Sequence, residues 1–194
     1  MSDVETRLDL PIRAFEDEAV FDRWLAAEPR TSPGFWMKIG KKGSGVVSIS
    51  KAAAIDVALC HGWIDGQQHP YDDHYWLTKF TPRRSNSRWS QVNRTRVGEL
   101  TASGRMRPAG LAEVRAAQAD GRWDAAYAPA STVEPPADLL AALEASPQAA
   151  AAFAAITRAE RYSMLHRLHH LKTAQGRASN ISRIVAKLAG EERN

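Results

Sequence analysis

The stretch Gly62–Pro82, "GWIDGQQHPYDDHYWLTKFTP", decides how this chain is read. Two runs rich in tryptophan, tyrosine, isoleucine and threonine flank the turn-forming Pro70–Asp73. That pattern predicts a β-hairpin of "GWIDGQQH" and "HYWLTKFTP". Strand alternation assigns Trp63, Asp65, Gln67 and His69 to one face, with His74, Trp76, Thr78 and Phe80 from the returning strand. Ile64, Tyr75 and Leu77 point the other way.

Upstream, "KAAAIDVALCH" predicts a helix capped by Ser50, with Gly62 just past its end and Ala52, Ile55, Ala58 and Leu59 as its buried stripe. "GFWMKIGKK" reads as a strand, "KKGSG" as a tight turn and "VVSIS" as the strand that completes a first hairpin. "EDEAVFDRWLAA" (16–27) predicts a helix with acids in its first turn, where the helix dipole favours them.

Downstream, Pro82 stops the strand, and Ser85 or Ser87 caps a helix over 88–103 with Trp89, Val92, Asn93, Arg96 and Leu100 on one stripe. "GRMRPAG" breaks the chain before a helix at 111–127. The segment 128–137, "APASTVEPPA", reads as a linker. Everything after it is helical: an alanine-rich pair broken at Pro147, then "RAERYSMLHRLHHLKTA" and "SNISRIVAKLAGEE". The expected architecture is α+β, with two β-hairpins packed with several helices in a core domain over 1–127. An all-helical segment over 138–194 follows it.

Composition narrows the function classes. With 44% hydrophobic and 25% charged residues, the chain is that of an ordinary globular protein, and no run is apolar for long enough to span a bilayer. One cysteine, Cys60, forms no internal disulfide, and the cytoplasm is the expected compartment. The net charge of +4 hides a polarity: residues 1–30 are acid-rich, whereas residues 83–107 carry seven arginines against Glu99 alone. Such a strip attracts phosphates or pairs with acids elsewhere in the fold.

The sequence "FWMKIGKKGSG", "AIDVALCHGWIDGQ", "FTPRRSNSRWSQVN", "GRMRPAGLAEV", "DGRWDAAY" and "ISRIVAKLAGEE" resembles the YdeI/OmpD-associated, or bacteriocin-protection, family from about Phe21 to Leu188. The resemblance is densest at Gly62–Gly66, Phe80–Arg84 and Ser87–Ser90. It departs at His61, where the family tends to an aromatic residue. It implies a role in tolerance of bacteriocins or antimicrobial peptides and an envelope-associated partner, and it carries no reaction, cofactor or catalytic residue.

The residues offer several chemistries. His61, Asp65, His69, Asp72, Asp73 and His74 are metal-ligand types, but they include no tight histidine pair on a helix, and no metal or cofactor is expected. Cys60 and His61 are adjacent, and neighbours on a helix diverge by about 100°, so they do not form a nucleophile–base pair. No catalytic residue is assigned, and an acid-centred enzyme at Asp65 and His61 stands as a third class.

Asp65 in an aromatic setting calls for a partner, with Arg83, Arg84 and Arg88 the obvious ones. The expected function is a non-enzymatic binding protein for a small molecule or peptide, its site lined by Trp63, Asp65, Trp76, Arg83, Arg84 and Arg88. The alternative is a nucleic-acid-binding module that uses the Arg83–Arg107 strip, with Trp36 and Trp76 as exposed rings.

Overall fold

The computed structural model describes residues 5–129, 132–169, 171 and 173–190, which divide into two compact units between Ala126 and Tyr127. The expected linker includes Ala130 and Ser131, and the expected third C-terminal helix includes His170 and Lys172. Those four residues, with Glu191 and Glu192 at the end of the expected last helix, lie outside the described ones.

The first unit is α+β. Strands β1 (Thr6–Arg7), β2 (Leu10–Ala14), β3 (Phe35–Gly40), β4 (Trp63–Pro70) and β5 (Tyr75–Pro82) form one sheet in the order β1-β2-β3-β5-β4. β2 and β3 are parallel, and the other pairs are antiparallel. Helices α1 (Glu18–Ala27), α2 (Lys51–Cys60), α3 (Gln91–Ala102) and α4 (Pro108–Ala119) complete it.

Two hairpins are present, but one is not where the sequence put it. "VVSIS" is not a strand: the Ile49 amide donates to Phe15 O at 3.0 Å and the Gly40 amide to Ser48 Oγ at 3.1 Å. β3 already has β2 on one side and β5 on the other, which leaves no edge for 46–50. The second hairpin is β1–β2, turned at Leu8 and Asp9, whose φ angles of 49° and 59° are left-handed. β1, of two residues, is the edge strand, and β2 is short and interrupted by Pro11 although it is paired on both sides, so the two carry a weak signal in sequence.

The helices start where side chains cap them. Asp17 accepts from the Val20 amide at 2.8 Å and Ser50 from the Ala53 amide at 3.1 Å. α3 is capped by Ser90, which accepts from the Asn93 amide at 3.1 Å, and not by Ser85 or Ser87. Trp89 therefore precedes the helix. The buried pair is Val97 and Leu100, and Val92 is 45% exposed. α2 packs against α1, α3, α4 and β4, so its burial is broad: Ala54, Val57, Ala58, Leu59 and Cys60, with Ala52 outside.

Phe35, Met37, Ile39, Trp63 and Phe80 from one sheet face pack with Phe15, Phe21, Leu25, Val57 and Ala58 to make the main core. Leu10, Trp36 and Leu77 are buried on the opposite face. A third cluster joins Leu59 and Cys60 of α2 to Trp89, Val97, Leu100 and Val114.

The second unit contains helices α5 (Ala137–Glu144), α6 (Pro147–Ala155), α7 (Arg158–His169) and α8 (Ala174–Leu188). Pro147 opens α6, as its fixed φ and missing donor allow. Leu139, Leu143, Phe153, Leu165, Leu168, Ile181 and Ile184 form its core. Arg177 ties α8 to α5 through both oxygens of Asp138, and it donates to Leu168 O at 3.0 Å.

Candidate functional site

The hairpin separates the residues the sequence gathers. Its register pairs Trp63 with Pro82 and Asp65 with Phe80. A bulge between Asp65 and Gln68 then shifts the pairing to Gln68–Thr78 and His69–Leu77. The extra residue turns His69 onto the face of Leu77 and Trp36, whose ring centroid lies 5.3 Å from that of His69. His69 therefore does not share a face with Trp63, and the histidines of the hairpin do not converge on Asp65.

Trp63 is sealed in the core against Trp24 and Phe35, while Trp76 sits near the other end of the hairpin, 43% exposed under the Lys41 ammonium. Arg83 is 4% exposed: its guanidinium lies 3.5 Å from the Trp89 ring centroid and donates to Arg88 O at 3.1 Å. Arg84 and Arg88 are exposed. The Asp–Arg bridge expected at Asp65 does not form. Asp65 is half-buried with no side-chain hydrogen bond or ion pair among the described residues, and Arg83 is turned onto Trp89 instead.

The motif's glycine is held from outside the motif. Arg30 donates to Gly62 O at 2.8 Å and bonds Glu113 of α4. Gly62 has φ +74°, and a Cβ there would lie 2.7 Å from that guanidinium. His61 is buried beside it, with Nε2 2.8 Å from Asp22 Oδ1, and Asp22 Oδ2 accepts from Arg107 at 2.7 Å. Burial raises the Asp22 pKa, but hydrogen bonds from His61 and Arg107 outweigh it and hold the carboxyl below its ordinary range. Cys60 is a buried thiol pushed up by desolvation.

The arginine strip is largely spoken for. Arg105 pairs with Glu18 at 2.6 Å, Arg107 with Asp22, and Arg96 with Asp56 at 2.5 Å; Arg94 lies over the Trp123 ring at 5.1 Å. Trp36, expected as an exposed ring, is fully buried, with its Nε1 donating to Arg7 O at 3.0 Å. Asp72 serves the turn, accepting from the His74 and Tyr75 amides at 2.8 and 2.7 Å. Among the described residues no group of three or more metal-ligand side chains gathers.

A different concavity lies within the second unit. A groove of about 620 Å³ runs between α6, α7 and α8, on a floor of Ala152, Ile156, Met164, Ile184 and Leu188. Arg167, Arg183, Lys187 and Glu160 stand at its rim, all exposed. Asn180 lines it at 7% exposure, and its Oδ1 is buried with no hydrogen-bond partner among the described residues. Such an orphan costs about 1–3 kcal/mol and is uncommon in a settled core. No reading of the hairpin points here. The signal in sequence is Asn180 on the stripe it shares with Ile184 and Leu188, at i, i+4 and i+8 of the helix, a lone amide in an apolar line.

Comparison with known families divides the chain. A family model described as "Domain of unknown function (DUF8412)" matches residues 13–113, just over half of the 194. One described as "Bacteriocin-protection, YdeI or OmpD-Associated" matches residues 132–190. The second is the family the sequence resembles. Its match covers the helical unit, while the "GWIDG", "FTPRR" and "SRWS" segments fall within the first. No curated protein and no solved structure matches.

Proposed function

We propose, for a chain that belongs to the family described as Domain of unknown function (DUF8412) and carries a bacteriocin-protection, YdeI or OmpD-associated domain, a role as a non-enzymatic cytoplasmic binding protein of the bacteriocin-protection type. The binding site in this reading is the α6–α7–α8 groove, and the observation that carries it is Asn180: a buried amide oxygen without a partner, in a concavity of ligand size. The groove presents cations, an amide and an apolar floor, groups that hold and orient a molecule. No histidine or cysteine is among its lining residues. The cytoplasmic placement rests on the lone, buried Cys60.

The residues expected from the sequence take different parts in this reading. Trp63 and Arg83 are framework. Asp65 is half-buried, and Trp76, Arg84 and Arg88 are exposed at separate places on the hairpin and the loop after it, so they do not enclose a ligand. The ion pairs of Arg96, Arg105 and Arg107 weigh against the nucleic-acid reading.

The test is protection itself. Ser163 is exposed and lines the groove, so Ser163→Trp fills it without touching the core. Cells carrying this variant are expected to lose survival under bacteriocin challenge, while Asp65→Ala cells keep it. A Ser163→Trp protein that melts like the parent and protects equally well ends the groove reading.

A further inference from the structure

We propose that the groove takes a small anionic amphiphile: an apolar chain on the floor of Ile156, Met164, Ile184 and Leu188, with a carboxylate or phosphate head held by Arg167, Arg183, Lys187 and the Asn180 amide. This rests on the reading that the groove is the binding site, and it names the class of molecule that fills it.

Charge makes the first selection. Arg167, Arg183 and Lys187 form no ion pair among the described residues, so three positive charges meet at one rim. Glu160, the one acid lining the groove among the described residues, stays ionised: hydrogen bonds from Thr157 and the charge of Lys187 hold its carboxyl below the ordinary range, so the rim carries three positive charges against one negative. Its Oε2 accepts from the Thr157 amide at 2.9 Å and from Thr157 Oγ1 at 2.7 Å. The rim is therefore electropositive, and a cationic ligand is disfavoured on approach.

Geometry makes the second. Asn180, Arg183, Ile184 and Lys187 stand at i, i+3, i+4 and i+7 of α8, so the polar grips and the apolar floor share one helix face. Arg183 and Lys187 are one turn apart and bracket a single head group between them, while Ile184 and Leu188 continue the apolar surface beneath. A site that presents a greasy floor and a cationic edge side by side fits a ligand with the same division. The volume of about 620 Å³ lies within the range of small-molecule sites, about 300–1,000 Å³, and suits one chain with its head rather than a folded partner.

Burial makes the third. The Asn180 amide is inside the groove wall and hydrogen-bonded at neither end among the described residues. An amide can donate from one end and accept at the other, so a half-turn about its last bond matches it to a head-group oxygen or hydroxyl. In that orientation Nδ2 donates to an oxygen of the anionic head, which has no proton to offer Oδ1.

Calorimetric titration of the full chain with dodecanoate, dodecyl phosphate and dodecyltrimethylammonium, each below its micelle concentration, tests this. At least one of the two anions is expected to bind, and the cation to bind at least about tenfold more weakly or not at all. The better anion identifies the head as carboxylate or phosphate. Arg183→Glu, an exposed change, is expected to weaken that anion by about tenfold or more. Asn180→Leu, close in size and free of the orphan, is expected to weaken it several-fold with no loss of melting temperature.

Equal binding of anion and cation, abolished by Ser163→Trp, overturns the charge assignment while the groove remains the site. Anion binding that Ser163→Trp leaves untouched overturns both. No binding of either anion overturns this proposal, and the protection assay above then judges the groove alone.

Discussion

Gly110 shows how little room a single position leaves. A Cβ placed there would stand 2.2 Å from Cys60 O and 2.7 Å from Leu59 O, so α4 crosses the end of α2 at backbone contact. Gly110→Ala is expected to destabilise the first unit by at least about 2 kcal/mol, read as a shift of the urea midpoint. Trp63 is the opposite case, a large ring with no spare space around it. Trp63→Ala is expected to cost about 3–5 kcal/mol in the same measurement. Asp22 adds a pH signature. Its pKa is lowered in the folded state, so the stability it contributes is present above the ordinary carboxylate range and is lost as pH falls through the folded value. Asp22→Asn is therefore expected to flatten the acid limb of the stability–pH profile without removing it, because Asp138, held down by Arg177, contributes in the same direction. Sequence reading reaches Ser50, Gly62 and Pro147 because each acts through its own backbone. It does not reach Asn180 or the partners of Asp22, because those depend on contacts from distant segments.

At the scale of elements, boundaries depend on which serine caps. Ser90→Ala is expected to cost about 1 kcal/mol and Ser85→Ala close to nothing, a difference that equilibrium unfolding resolves. The β4–β5 hairpin and the existence of each of the eight helices among the described residues were legible from periodicity, proline and glycine. The bounds were not: α4 opens at Pro108 within the expected break and ends at Ala119, and α8 opens at Ala174 within the helix expected before it. The misplaced strand at 46–50 and the missed β1–β2 hairpin share one cause. "VVSIS" is β-prone but has no available partner, whereas Leu10–Ala14 is short and interrupted by Pro11 yet has β3 beside it. The face assignment failed at one residue. Alternation holds from Trp63 to Asp65, then the bulge inverts it, so His69 faces Trp36. Gly66 in "DGQQH" is the one mark of where the ladder slips, since a glycine inside a strand often sits at a bulge. The acid-rich helix α1 and the arginines at 105 and 107 were each visible as charge. Their pairing was open until the fold brought Glu18 and Asp22 to them.

For the molecule as a whole, the two units each hold their own buried clusters, and the family matches follow the same division. Residues 1–126 expressed alone are expected to unfold cooperatively, because all three of their apolar clusters are drawn from within that span. Loss of a sharp transition in the fragment would show that the first unit needs the rest of the chain. The strand order has a further outcome for solution behaviour. β4 lies at the end of the sheet, and among the described residues no strand pairs with its outer rim, an invitation for a second molecule to add its own strand. The kink at Gly66–Gln67 breaks that rim midway, so no long straight run is on offer. Deleting Gln67 would straighten it, and the altered protein should clump on concentration where the parent stays dispersed by light scattering.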